Sequence, residues 1–212
     1  MLGWLDVFCS ISNKWHRWYN LQSRKPWTDT EPHQPHQREG LSTKEKMNVS
    51  IQQLYGPTGR FRSQKQEDAI IAVVEGVSPI HIILPTGAGK SLAFMVHVLF
   101  QEAGTTVVIT PLAALAENML DRYKDAGIDC ILHGRVLSCM AKIIIIVTKS
   151  ATSASFHQMI LDIHLKGRLD RIVFDEVHKL ITDVNFRPKL ENLQKLSLSV
   201  QYISLTATFP HP

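Results

Sequence analysis

From about Met47 onward, short apolar runs alternate with stretches of helical periodicity. The runs Ile80–Leu84, Val107–Thr110, Cys130–His133, Ile143–Thr148, Ile172–Asp175 and Tyr202–Leu205 are rich in β-branched residues and predict strands. Between them, the periodicity predicts helices at Lys65–Val74, Ser91–Gln101, Leu112–Asp125, Ser155–His164 and Pro188–Leu196. Strands that are apolar throughout, rather than alternating, predict a sheet covered on both faces, which is the habit of parallel sheets. The expected fold is therefore α/β, a doubly wound and mostly parallel sheet flanked by helices, with ligands at the carboxyl ends of its strands.

Residues 1 to about 46 break this pattern. They hold all four tryptophans (Trp4, Trp15, Trp18, Trp27) and the polar, turn-rich run Thr28–Gln37. Prolines, histidines and glutamines without apolar periodicity predict a disordered or poorly defined segment. Its cluster Lys14-Trp15-His16-Arg17-Trp18-Tyr19 could stack on nucleic-acid bases, but it fits better as one side of a short amphipathic helix or the remnant of another segment. The expected globular domain spans 47–212.

Composition adds little. The formal charge of +4 and pI near 9.0 suit a polyanionic partner without demanding one. Three scattered cysteines, Cys9, Cys130 and Cys139, show no metal-ligand spacing and read as free thiols in a reducing compartment. No apolar run of about 18 residues predicts a membrane span. The first residues lack a signal peptide's basic start and unbroken apolar core. Asn48-Val49-Ser50 matches a glycosylation acceptor, which a reducing compartment would make a chance match.

The strand Ile80–Leu84 runs directly into Pro85-Thr86-Gly87-Ala88-Gly89-Lys90-Ser91 and then a helix, the arrangement of a phosphate-cradling loop. Gly87 and Gly89 allow backbone conformations in which successive N–H groups face one anion, and the following helix adds its positive end. Lys90 would then reach the β- and γ-phosphates, and the Ser91 hydroxyl would ligate Mg²⁺. The strict G-x-x-x-x-G-K-[ST] pattern fails, because Leu84 stands at the first glycine position. An ordinary glycine-rich αβ turn would carry the same Gly-Lys-Ser. A second signal comes at the tip of the buried strand Ile172-Val173-Phe174, where Asp175-Glu176 follow. One carboxylate there can reach the Mg²⁺ held by Ser91, and its neighbour can orient and deprotonate an attacking water.

Together these segments resemble the RecQ-like superfamily 2 DNA helicases of the DEAD/DEAH-box class. Phe174-Asp175-Glu176-Val177-His178 resembles their motif II in its DExH form, and Pro85–Ser91 resembles motif I, which does not require the glycine missing at Leu84. Leu205-Thr206-Ala207-Thr208 is similar to motif III, Thr110–Leu115 to motif Ia, and Phe61–Ile70 to motif 0. Thr148-Lys149-Ser150 sits where motif Ib belongs, with its usual Thr-Pro-Glu degraded. Phe186-Arg187-Pro188 is similar to the end of the aromatic-rich loop but lacks its tryptophan, as in RecQ-like helicases found near fungal telomeres.

The resemblance implies a RecA-like P-loop NTPase domain binding ATP and Mg²⁺. It implies Lys90, Asp175 and Glu176 as catalytic residues and Ser91 with Asp175 as metal ligands. Gln66, Thr86, Gly87, Ala88, Gly89, Lys90 and Ser91 would hold the nucleotide, Gln66 reading the adenine edge, with Gln64 a weaker candidate because the spacing after Phe61-Arg62 is one residue long. His178, Thr206 and Thr208 would couple nucleotide state to a DNA-binding face at Pro111, Leu112 and Arg187. The implied partner is single-stranded or forked DNA, the implied compartment the nucleus, and the implied setting DNA recombination and repair. Family members carry a second RecA-like domain after motif III, which supplies an arginine finger. This sequence stops at Pro212, so the expectation is ATP–Mg²⁺ binding with slow hydrolysis and no unwinding alone. A truncated, non-enzymatic nucleotide- or DNA-binding remnant is the competing expectation. A P-loop kinase or GTPase fits less well, since neither has a place for Asp-Glu-Val-His or motif III.

Overall fold

A computed structural model describes residues 41–134, 141–182 and 200–207, and those from Thr43 onward belong to a unit running Thr43–Phe209. The tryptophan-rich segment, the predicted helix Pro188–Leu196, Arg187 and Thr208 lie outside the described residues.

In chain order the elements are α1 (Thr43–Tyr55), α2 (Gln64–Val74), β1 (Ile80–Ile83), α3 (Leu92–Val98), β2 (Thr105–Thr110) and α4 (Ala113–Asp125). They continue with β3 (Cys130–Leu132), β4 (Ile143–Val147), α5 (Ala154–Leu165), β5 (Leu169–Phe174), α6 (Val177–Thr182) and β6 (Gln201–Thr206). All six strands pair in parallel, in the order β1-β6-β5-β2-β4-β3. The predicted doubly wound parallel sheet is therefore present.

Alternation of side chains along each strand divides the apolar residues between two faces. Val108, Ile143, Ile145, Val173, Ile203 and Leu205 pack with residues of α1, α2, α3 and α4. Val107, Ile109, Ile144, Ile146, Ile172 and Phe174 pack with Phe156, Ile160 and Ile163 of α5. Continuous apolar strands are thus buried on both sides, as their composition predicts. β1 departs from this: it forms one edge of the sheet, burying Ile82 while His81 and Ile83 stay exposed.

Two helices were not expected. α1 buries Met47, Ser50 and Ile51 and packs against α3. α6 follows directly on Asp175-Glu176. The predicted Ser91–Gln101 helix is shorter than its periodicity suggests, because regular helix ends at Val98 and turns follow.

Below the sheet's amino edge lies a buried polar cluster. Arg171 on β5 is 4% exposed, and its Nη2 lies 2.9 Å from His97 Nδ1. A guanidinium only donates, so His97 must accept through an unprotonated Nδ1. The 3.9 Å approach of the same Nδ1 to Asp170 is then not an ion pair. Burial first, then Arg171, hold His97 down to about 4. The sign follows: between pH 6.5 and 4 the unfolded chain binds a proton that the folded chain refuses. Stability is full above about 6.5 and falls as the pH drops toward 4, by about 2–3 kcal/mol from this group. Urea unfolding at pH 7 and pH 5 should show the loss in the wild type and a shallower one in His97→Gln, which keeps an acceptor for Arg171 without titrating. Equal losses in both would refute the assignment.

Candidate functional site

Because every strand runs the same way, the segments following β1, β2, β4, β5 and β6 all emerge at one edge. β6 lies between β1 and β5, with Ile83 opposite Thr206 and Phe174 opposite Ser204. The Pro85–Ser91 loop, the Asp175-Glu176 turn and the end of β6 are therefore brought together by three adjacent strands.

In the loop, Gly87 and Gly89 have φ of +81° and +79°, values that residues with a Cβ rarely adopt. A Cβ at Gly89 would also lie 2.4 Å from Gln66 Nε2. The loop closes with Ala88 N–H donating to the Pro85 carbonyl and Leu92 N–H to the Gly89 carbonyl. Among the described residues, the N–H groups of Thr86, Gly87, Gly89, Lys90 and Ser91 meet no backbone acceptor. A glycine-shaped strand–helix loop with unused donors fits a polyphosphate.

Gln66 sits differently from the sequence expectation. It is 1% exposed; its Oε1 accepts from Arg62 N–H at 2.8 Å, and its Nε2 donates to the Ala88 carbonyl at 2.9 Å. Arg62 also donates to the Gly87 carbonyl. The amide thus ties α2 to the loop, and reading a base edge requires it to release Ala88. Gln64 is exposed, donates to Asp68 at 2.9 Å, and lines an open cleft of about 390 Å³ with Arg60, Phe61 and Glu67.

Lys90 Nζ lies 3.7 Å from Glu176 Oε1, their side chains being 10% and 20% exposed. Glu176 Oε2 lies 3.2 Å from His178 Nδ1, which in turn is 2.9 Å from Thr206 Oγ1. One Nδ1–H can serve both oxygens, so a polar chain runs from the loop lysine through motif II to the end of β6. Glu176 has φ +49°, a left-handed conformation costing about 1 kcal/mol or more in a non-glycine residue. Asp175 anchors its N–H on the Ile109 carbonyl at 2.9 Å. Its carboxyl is pushed up to about 6, by burial first and the Glu176 charge second. A carboxylate held in so unfavourable a setting suits a site that a cation completes.

The other candidates are spread along the same edge. Leu112 caps α4 and is 51% exposed, with Pro111 beside it. Thr148, at the motif Ib position, is buried and bonds the Thr110 carbonyl through both its N–H and its hydroxyl, each at 3.0 Å. It joins two strand ends instead of facing outward.

Sequence reasoning missed Tyr123, which reads as one more apolar position of α4 beside Met119 and Leu120. It is fully buried, and burial with the nearby Asp175 charge pushes its hydroxyl far up, so it stays protonated. The Ser91 hydroxyl also acts on it, although the pair is not in hydrogen-bonding geometry.

The donor set fits Mg²⁺. Ser91 and Asp175 offer hard oxygens, and among the described residues no cluster of three or more His, Cys, Asp or Glu could hold a metal alone. Such a pair needs phosphate oxygens and water to complete an octahedral shell, which is how Mg²⁺ binds with nucleotides. No helix among the described residues is long and apolar enough to cross a membrane.

Known proteins resemble this chain in sequence and fold. The family described as DEAD/DEAH box helicase matches residues 63–212. ATP-dependent DNA helicase Q5 of Mus musculus is 29% identical over 167 residues, covering 70% of this chain and 17% of its own length. RecQ-like DNA helicase blm-1 of Caenorhabditis elegans is 32% identical over 171 residues, covering 70% of this chain and 17% of its own. ATP-dependent DNA helicase RecQ of Bacillus subtilis is 41% identical over 70 residues, 33% of this chain and 12% of its own. The chain therefore spans less than a fifth of the length of these relatives. Among solved structures, the DUF1998 helicase MrfA bound to DNA and AMPPNP superposes with a TM-score of 0.60 at 20% identity, covering 79% of this chain and 26% of that one. That likeness is one of fold.

Proposed function

Because the chain belongs to the DEAD/DEAH box helicase family, we propose that it is the ATP-binding, first RecA-like domain of a RecQ-like 3′–5′ DNA helicase. The observation that carries this reading is the meeting of a donor-rich glycine loop, Lys90 and the Asp175-Glu176 turn on three adjacent parallel strands. The domain spans 47–212 and works with a second RecA-like domain. A nuclear setting in DNA recombination and repair follows from the resemblance to RecQ-like helicases.

In this reading the amides of 86–91 and Lys90 bind the phosphates of ATP, and Ser91 and Asp175 hold Mg²⁺. The metal's part is to neutralise charge building up on the β- and γ-phosphates. Glu176, released from Lys90 when the lysine turns to phosphate, accepts a proton from the attacking water. Gln66 releases Ala88 and turns its amide to the adenine edge. His178 contacts both Glu176 and Thr206, so a shift of Glu176 reaches the end of β6, and Thr208 continues that path. Pro111, Leu112 and Arg187 lie against the DNA backbone, the first two leading into α4, whose open N-terminal amides hold a phosphate.

The test is a fluorescent ATP analogue titrated with Mg²⁺, followed by phosphate release with and without single-stranded DNA. Mg²⁺-dependent binding and DNA-stimulated release are expected. No nucleotide binding overturns the proposal, and binding without turnover moves it to a nucleotide- or DNA-binding module.

A further inference from the structure

Among the described residues, three buried hydroxyls, those of Thr106, Thr110 and Tyr123, have no hydrogen-bond partner. Thr110 follows Val108 by two residues on β2 and shares its face, the one covered by α3 and α4. Asp175 follows Val173 by two residues and continues the β2–β5 register beside Thr110, through its N–H to the Ile109 carbonyl. Tyr123 of α4 belongs to the helix layer that covers this face. Its ring meets Phe94 of α3 edge-on at 6.2 Å, just beyond the phosphate loop. Thr110 and Tyr123 are both 0% exposed.

Packing alone does not account for the phenol oxygen. A phenylalanine would fill the ring's place without burying a donor that nothing accepts, and an unmet buried donor is unfavourable. The Asp175 charge and the Ser91 hydroxyl are polar groups that act on it. These are the two groups assigned above to Mg²⁺.

We propose that Tyr123 is a positioning residue of the metal–phosphate site, its hydroxyl donating to the Asp175 carboxylate when Mg²⁺ and nucleotide are bound. This rests on the ATP-binding reading and adds to it a residue outside the recognised motifs. A carboxylate that ligates a metal with one oxygen has its second oxygen to be fixed, and a rigid, buried phenol does this without mobile side-chain torsions. Ser91 cannot serve the same purpose, since its hydroxyl is itself a ligand. The unpartnered state of the phenol is the resting arrangement, and the bond forms as Asp175 settles on the metal.

The experiment uses the full chain and Tyr123→Phe. Without ligand, Tyr123→Phe should unfold at the wild-type temperature or slightly above it, because only an unpaired hydroxyl is lost. At fixed fluorescent ATP analogue, half-saturation should need about 3- to 10-fold more Mg²⁺, the loss of one hydrogen bond to a charged group. Binding in EDTA should be unchanged. In an Asp175→Ala background, Tyr123→Phe should add nothing, since the acceptor has gone. An unchanged Mg²⁺ requirement, an equal loss in EDTA, or a shift that persists with Asp175→Ala would each overturn the proposal. If the wild type itself shows no Mg²⁺-dependent binding, the ATP-site reading fails first and takes this one with it.

Discussion

Lys90→Ala is expected to weaken binding of Mg²⁺–ATP by about 100-fold, the equivalent of one strong charge-assisted contact. Lys90 is largely enclosed, and its ammonium lies 3.7 Å from Glu176 at the mouth of a loop whose N–H groups lack backbone acceptors. Against a polyphosphate, the amides supply only partial charges, while the lysine supplies a whole one in a partly desolvated place. Its removal also leaves Asp175 and Glu176 without the nearest cation, so the pocket turns against an anion. The effect should appear in titration of a fluorescent ATP analogue, with the fold intact by circular dichroism because the loop closes through backbone bonds that do not involve the lysine side chain. A variant that binds within about 3-fold of wild type would show that phosphate is not what Lys90 meets.

Which parts of this were legible before the fold was known depends on how directly sequence encodes them. Ile143–Val147 and Ile172–Phe174 announce strands because a run of β-branched and aromatic residues has no exposed face in a layered sheet. The edge position of β1 is not written in Ile80–Ile83, since strand order is a property of the whole chain. For the same reason, nothing local says that β6 lies between β1 and β5 and so carries Thr206 to His178. The helix Thr43–Tyr55 escaped because its apolar stripe is only Met47, Ile51 and Leu54 in a polar stretch. That i, i+4, i+7 spacing was nonetheless present in the sequence.

At the site, residue types were legible and their present partners were not. A buried glutamine amide can face a base or a carbonyl, and only coordinates show Gln66 on Ala88. Tyr123 was hidden by the opposite effect. Helical periodicity marks it as core, which it is, but says nothing of where the phenol oxygen ends. Motif order predicted that the Pro85–Ser91 loop and Asp175-Glu176 serve one site; that Lys90 meets Glu176, and that Glu176 holds a left-handed conformation while bridging Lys90 and His178, emerged only from the structure.

That conformation bears on the second large effect. Glu176→Gln is expected to slow ATP hydrolysis by about 10²- to 10³-fold, the range that loss of a positioned general base produces, while leaving ATP affinity equal or a few-fold tighter. Glutamine is isosteric and carries the same backbone strain, so the turn between β5 and α6 should keep its shape. The amide still accepts from His178 but cannot take a proton from water. Losing the charge frees Lys90 from its 3.7 Å ion pair, removes a repulsion toward the phosphates, and eases the neighbouring carboxylate that raises Asp175. Chemistry and binding therefore move in opposite directions, an outcome that unfolding or a collapsed loop cannot imitate. Single-turnover hydrolysis of radiolabelled ATP, run beside equilibrium binding on the same preparations, separates the two. Hydrolysis within about 3-fold of wild type would remove Glu176 from the role of base and leave it as the tether that holds Lys90 and His178 together in the resting site.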